Sequence, residues 1–309
     1  MINSTLSKQL NRHGLLSVII GVLLLVTSVS LQAKEVSQKY RGLTLNANLE
    51  LADGKTLKDG VALILHGSMA HNRMEIIEAS QQALLDNDQS SLAINLSLGV
   101  DNRHGFYDCN RPHRHTSEGG VDELGAWVAW LREKGIAGIV IMAHSRGANQ
   151  AMVYAVESRN PAVTHLVLIA PNTTPPKPQY EARFGEIYDE NIERVQKQID
   201  AGKGGELIEN LDFLYCPRAS VSADSFNSYN GVDDKFRQFQ MYLPQMQIPT
   251  LIVTGSRDEI EPDIVKDLGP YADGRRIRIG VIENAGHFFQ DFNIEEAVEA
   301  AVEFIAESE

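Results

Sequence analysis

The chain has 309 residues, of which 43 % are hydrophobic and 22 % charged, with a formal net charge of −13. A chain of this length can bury a core without metal or disulfide staples, and its composition is that of a folded protein rather than a disordered one. The acidic balance argues against nucleic acid and other polyanions as partners.

At the N-terminus, Lys8 and Arg12 precede an apolar run from Leu15 to Val29, and no acidic residue occurs before Ala33. A basic start, an apolar middle and small residues after it form the layout of a signal peptide, residues 1–33. Cleavage is expected after Ala33, with Ser28-Val29-Ser30 as the other candidate site. The alternative is an uncleaved anchor, although the run is short against the about 20 residues of a spanning helix. Either outcome puts the rest of the chain outside the cytoplasm, periplasmic or secreted. Membrane contact is then expected only through this segment, if it is retained. The segment holds no cysteine, which excludes a lipoprotein, and losing it leaves the remainder more acidic still.

Tyr40 to Leu51, with Leu43, Leu45, Ala47 and Leu49 alternating, reads as an antiparallel strand or hairpin. From Val61 onward strands are expected at 61–65, 91–97, 138–143, 164–169, 249–254 and 276–282. Between them helices are expected at 73–86, 119–133, 147–158, 260–268 and 293–306. This alternation is what a mostly parallel α/β sheet requires. In the second helix Val121, Leu124, Val128 and Leu131 share one face, and Trp127 beside them reads as packing.

The alternation stops between Pro171 and Pro249. Thr173-Thr174-Pro175-Pro176-Lys177-Pro178 marks a junction, and Tyr188, Ile192, Val195 and Ile199 follow at helical spacing. Residues 34–171 and 246–309 are therefore expected to form one core, with 172–245 inserted into it. The insertion is dense in Phe and Tyr, which either line a binding pocket or form a small core of their own.

The chemistry concentrates at Ala143-His144-Ser145-Arg146-Gly147. Apolar Ile139-Val140-Ile141-Met142 precedes it and a helical stretch from Ala148 follows. A strand, a sharp turn with serine at its tip, then a helix is a nucleophile elbow, here with Ala143 in place of the first glycine of G-x-S-x-G. Two further strands end in reactive side chains. Pro249-Thr250-Leu251-Ile252-Val253-Thr254-Gly255 leads to Asp258, and Ile277-Arg278-Ile279-Gly280-Val281-Ile282 leads to His287. Open α/β sheets place their ligands at this strand edge. Glu259, Glu261 and Asp263 lie near Asp258; resemblance to the α/β-hydrolase family points to Asp258, which has that family's Gly-x-x-Asp spacing from Gly255, and no acid directly follows the 164–169 strand, where some members carry theirs.

These segments together resemble the α/β-hydrolase fold, over nearly all the chain from Val61 to the C-terminus. Val61-Ala62-Leu63-Ile64-Leu65-His66-Gly67-Ser68 is similar to the family's oxyanion strand and turn. Asp101-Asn102-Arg103-His104-Gly105 resembles its Asp-x-Arg-Gly-His-Gly loop without the middle glycine. The resemblance implies a mostly parallel central sheet flanked by helices, with a helical cap inserted after the sixth strand and lying over the serine. It implies Ser145 as nucleophile, His287 as base and Asp258 as the residue orienting that base. The oxyanion would be held by the backbone N–H groups of Ser68 and Arg146, with His66 bracing that loop. Met69, His104 and Phe288 stand beside these motifs and are expected to contact substrate.

The implied activity is hydrolysis of a carboxylic ester or thioester through an acyl-enzyme, with no cofactor. The substrate would be a small molecule carrying a hydrophobic acyl or aromatic group. Amide or peptide hydrolysis by the same triad is the alternative within the fold, and a non-catalytic exported binding protein is the alternative outside it. In an oxidising compartment Cys109 and Cys216 are expected to pair, tying cap to core, against the alternative of two free thiols. His104, Asp108, Cys109, His113 and His115 crowd one loop but are not expected to bind metal. A bridged Cys109 is lost as a ligand, and Arg103, Arg111 and Arg114 repel a cation.

Overall fold

Every residue of β3 (Val61–Leu65), β4 (Ser91–Asn95) and β9 (Thr250–Gly255) is buried. Such strands must be covered on both faces, as in a parallel sheet sandwiched by helices. The computed structural model describes residues 34–136 and 138–308, and the expected signal peptide at residues 1–33 lies outside the described residues.

With β1 (Lys34–Tyr40), β2 (Leu43–Glu50), β5 (Ile139–His144), β6 (Val163–Ile169) and β10 (Ile277–Ile282), these strands form one sheet. Its order is β1-β2-β4-β3-β5-β6-β9-β10. From β4 through β10 neighbouring strands run parallel, while β2 is antiparallel to both β1 and β4. The loops after β3, β5, β6, β9 and β10 therefore emerge along one edge.

Helices cover both faces. The helix α1 (Glu75–Asp86) packs against α9 (Asn293–Ser308), and α2 (Ser117–Glu133) packs against α3 (Arg146–Ser158). Leu124, Trp127, Val128 and Leu131 of α2 are fully buried, which makes Trp127 a packing residue. The Thr116 hydroxyl accepts the Gly119 N–H at 3.1 Å and caps α2, satisfying a donor that the first turn leaves free.

Residues 172–245, expected as a helical cap, are helical only in part. They contain α4 (Pro176–Phe184), α5 (Tyr188–Asp200), α6 (Ala223–Asn230) and the single turn α7 (Phe239–Tyr242). Between α5 and α6 they also form an antiparallel pair, β7 (Leu207–Phe213) with β8 (Cys216–Ser222). The pair forms because β8 has a template on the core side. The His113 N–H donates to the Ser220 carbonyl at 2.8 Å, and the Ser222 N–H donates to the His113 carbonyl at 2.9 Å. A Cys109–Cys216 disulfide fastens the same junction, with Cα atoms 5.3 Å apart and a sequence separation of 107. In the chain-entropy model a loop of that length stabilises the fold by about 4–5 kcal/mol.

Candidate active site

The elbow between β5 and α3 is strained where the serine sits. Ser145 has φ 54 and ψ −129, a region that side chains with a Cβ rarely occupy and that functional sites sustain. Two features hold it there. The Ser145 N–H donates to the Ile169 carbonyl at 2.8 Å, extending the ladder to β6. Gly147 lets α3 approach β3 so closely that a Cβ on it would lie 2.4 Å from the His66 carbonyl oxygen.

The loops after β9 and β10 join each other before they reach the serine. The Ser256 N–H donates to the Ile282 carbonyl and the Arg257 N–H to the Ala285 carbonyl, each at 2.9 Å. This brings His287 Nδ1 to 2.9 Å from Asp258 Oδ2, with both side chains buried. On the other side of the ring, His287 Nε2 lies 3.1 Å from Ser145 Oγ. Asp258 Oδ1 also accepts the N–H groups of Ile260 at 2.9 Å and Glu261 at 2.8 Å. Burial alone would raise the Asp258 pKa, but the His287 hydrogen bond and charge, with those two N–H groups, hold it below the ordinary value. An ionised Asp258 keeps the imidazole proton on Nδ1, which leaves Nε2 as an acceptor facing the serine.

His144 pins the histidine loop from below, its Nε2–H donating to the His287 carbonyl at 2.9 Å. Burial, and then the neighbouring His287, push the His144 pKa down to about 3, so its ring is neutral.

The turn after β3 lies against the elbow serine, since a Cβ on Gly67 would come 3.0 Å from Ser145 Cβ. Neither the Ser68 N–H nor the Arg146 N–H meets an acceptor among the described residues. For Arg146 this follows from its place at the first position of a helix. His66 braces the turn. Its Nδ1–H donates to the Gly67 carbonyl at 2.8 Å, while its Nε2 accepts the Leu96 N–H at 3.1 Å. Arg103 binds the same region from the adjacent loop. It donates to the carbonyls of Leu96 and Ala70 and to Asn95 Oδ1, each at 2.7 Å, and also to the Gly105 carbonyl. Burial lowers its pKa only to about 10, so it stays charged.

Arg103 takes the inward side of its loop, and its neighbour His104 is turned outward. His104 Nε2 meets Glu35 of β1 at 2.9 Å and lines neither cavity at the serine, which corrects its expected substrate contact. Met69 and Phe288 do line one of them. Among the described residues no group of three or more His, Cys, Asp or Glu is arranged to hold a metal ion.

Sequence reasoning missed Asn172, two residues past the Ala170 that follows β6. Its Oδ1 lies 3.1 Å from Ser145 Oγ. No acid directly follows that strand, and an amide there carries no comparable motif. The Arg146 side chain carries no motif signal of its own either. It is buried, pairs with Asp234 at 2.7 Å, and donates to Ser117 Oγ at 2.9 Å and to the Ser228 carbonyl at 3.0 Å. Asp234 also receives Arg237 Nε at 3.1 Å. One buried carboxylate thus neutralises two arginines and ties the residue after Ser145 to the insertion. Asp234→Ala would strand both charges, and removing one partner of a buried pair costs about 3–5 kcal/mol. The expected result in thermal unfolding is a melting temperature lower by roughly 10 °C.

Two cavities meet at Ser145. One, of about 330 Å³, is mostly apolar and lined by Gly67, Ser68, Met69, Ala70, Met74, Phe106, Tyr107, Cys109, His144, Tyr215 and Phe288. The other, of about 20 Å³, is polar and lined by Ser68, Arg146, Asn172, Gln179, Arg183, Leu214, Tyr215, Tyr229, Arg237 and Ile260. Most aromatics of the insertion form its own core: Tyr180, Phe213, Phe226 and Phe236 are buried there, and Tyr215 alone among them reaches the apolar cavity.

No protein-family model matches the chain, and no curated protein sequence does. Solved structures do. Est1E from Butyrivibrio proteoclasticus superposes with a TM-score of 0.61 at 18 % identity, covering 89 % of this chain and 100 % of that one. An esterase of Pyrococcus furiosus gives 0.58 at 18 % identity, covering 90 % and 92 %. A monoacylglycerol lipase of Paleococcus ferrophilus gives 0.58 at 16 % identity, covering 86 % and 99 %. At these identities the likeness shows the fold, and the fold is that of the α/β-hydrolases.

Proposed function

We propose that this α/β-hydrolase-fold chain is an exported serine hydrolase that cleaves carboxylic esters or thioesters of hydrophobic acids through an acyl-enzyme. The observation that carries the reading is the line from Asp258 Oδ2 through His287 to Ser145 Oγ, closed by contacts of 2.9 and 3.1 Å at a strained elbow.

A serine hydroxyl is a weak nucleophile until an adjacent base accepts its proton. Here Nε2 of His287 takes that proton as Oγ bonds to the substrate carbonyl carbon. Asp258 stabilises the imidazolium so formed and fixes its tautomer. Negative charge builds on the carbonyl oxygen, and the N–H groups of Ser68 and Arg146 receive it. One such donor contributes about 10²–10³ in kcat. The tetrahedral species collapses as His287 returns the proton to the leaving oxygen or sulfur, and the alcohol or thiol departs. Water then repeats the sequence on the acyl-enzyme, with Oγ as the leaving group.

The larger cavity supports this choice of substrate class. A cavity of about 150 Å³ is enough for benzene, so about 330 Å³ accommodates a phenylpropanoid or a medium acyl chain. Est1E has also been solved with ferulic acid bound, which favours aromatic acyl groups. Export rests on the layout of residues 1–33 and agrees with the disulfide, a bond of oxidising compartments. Among the described residues no helix is long and apolar enough to cross a membrane.

A series of p-nitrophenyl esters tests the reading. Turnover is expected for aromatic and medium-chain acyl groups, with kcat/KM falling roughly tenfold or more for hexadecanoyl. Folded protein that hydrolyses none of the series contradicts it.

A further inference from the structure

Ser145 Oγ has two side-chain partners at the same distance, His287 Nε2 and the Asn172 amide, each at 3.1 Å. A hydroxyl carries one hydrogen. Because Asp258 holds the imidazole proton on Nδ1, Nε2 can only accept, and it claims the serine hydrogen. The amide must then offer Oγ a donor. The two ends of an asparagine amide are alike in size, and the hydrogen-bond network decides which one faces a partner. With the oxygen on Oγ, two acceptors would compete for one proton. With the nitrogen on Oγ, every bond has its hydrogen, and the amide oxygen turns towards the polar cavity lined by Arg146 and Arg237.

We infer that Asn172 is a catalytic residue of the proposed reaction, donating Nδ2–H to Ser145 Oγ. This rests on the serine-hydrolase reading and adds a contact to it. As His287 withdraws the proton, charge builds on Oγ before its bond to carbon is complete, and the amide hydrogen stabilises it. The larger effect comes in deacylation. There the acyl carbon–Oγ bond breaks, the electron pair returns to Oγ, and His287 delivers the proton while Nδ2–H supports the departing oxygen.

The surroundings of Asn172 are built to hold the amide still. Its N–H donates to Asn149 Oδ1 and its carbonyl accepts from Asn149 Nδ2, each at 2.9 Å. Asn149 is fully buried on α3 and also donates to the Phe236 carbonyl of the insertion at 2.7 Å. These bonds use the Asn172 backbone alone. The side chain has Ser145 as its one hydrogen-bond partner among the described residues, so trimming it leaves the lock intact.

The test compares wild type, Asn172→Ala and Asn172→Asp in p-nitrophenyl ester turnover and in the rate of fluorophosphonate inactivation. A neutral hydrogen bond supports an expected roughly tenfold loss of kcat in Asn172→Ala, with KM falling alongside it and melting temperature unchanged. Acylation is expected to slow less than deacylation, so a burst of p-nitrophenol becomes larger relative to the steady state. Asn172→Asp removes the donor and presents a competing acceptor, and it is expected to fall below Asn172→Ala. Unchanged kcat in Asn172→Ala overturns the inference, and so does an aspartate variant as active as the alanine one. Wild-type protein that neither turns over ester nor reacts with fluorophosphonate refutes the serine-hydrolase reading instead.

Discussion

Replacing Ser145 with alanine is expected to lower ester turnover by about 10⁴–10⁶-fold, the range seen when a triad nucleophile is removed. His287→Ala is expected to cost about as much, and the double variant little more, because the two residues act as one unit. Melting temperature should change by only a few degrees, since Oγ contributes just its bonds to His287 and Asn172 and alanine keeps the same strained backbone. Steady-state rates on a p-nitrophenyl ester, alongside thermal melts, check both halves. Activity surviving in Ser145→Ala within tenfold of wild type would place the chemistry elsewhere.

The second large effect is on stability at mildly acidic pH. His66, His115 and His144 are buried beside the site. Burial first, and then nearby Arg103 for His66, His113 for His115 and His287 for His144, push their pKa values down to about 3. Burial takes His113 to about 4. In the unfolded chain these imidazoles titrate near about 6.5. Below that pH the unfolded state binds protons that the folded state refuses, so stability falls as pH falls. The contribution is complete above about pH 6.5 and is lost progressively towards the folded pKa values, at about 1.4 kcal/mol per pH unit for each ring.

The three deepest rings alone remove roughly 4 kcal/mol by pH 5.5, a large part of a typical net stability of about 5–15 kcal/mol. The melting temperature is expected to drop by roughly 10 °C between pH 7.5 and 5.5. Asp258 adds a loss of the same sign lower down. Its depressed pKa gives stability above the unfolded value that disappears as pH falls through the folded one. Burial raises Glu123 and Glu261, which pull the other way at the acid end. A melting temperature flat to within 2 °C over that range would mean that these rings already charge in the folded state.

Much of this architecture was readable from local pattern. Runs such as Ala62-Leu63-Ile64-Leu65 and Leu251-Ile252-Val253 are apolar without alternation, which only a strand covered on both faces permits. The strands β3, β4, β5, β6, β9 and β10 therefore appear where the sequence places them, within about two residues. The first arm of the leading hairpin was harder. Lys34–Tyr40 is polar and half exposed at the sheet edge, and is held by pairing to β2 rather than by a buried face of its own. The β7–β8 pair was missed for a related reason. Its docking partner is the backbone of His113, more than a hundred residues away, and no local periodicity announces such a contact.

At the candidate site, the convergence of Ser145, Asp258 and His287 was legible because the order expected of such a triad and the strand ends they follow place them together. Asn172 and Asp234 were not. Each acts through one geometric relation, an amide at Oγ and a carboxylate between two arginines, that exists only once the sheet and the insertion are assembled. His104 misled in the opposite direction, because its motif placed it near the site while Arg103 takes the inward side of the loop and His104 meets Glu35.

The most direct measurement is mass spectrometry of the protein beginning near Lys34 after treatment with a fluorophosphonate. One adduct per chain, on the peptide that carries Ser145 and absent after Ser145→Ala or His287→Ala, is the predicted result. A folded protein that stays unmodified, or is modified at another residue while Ser145 remains free, would contradict the account.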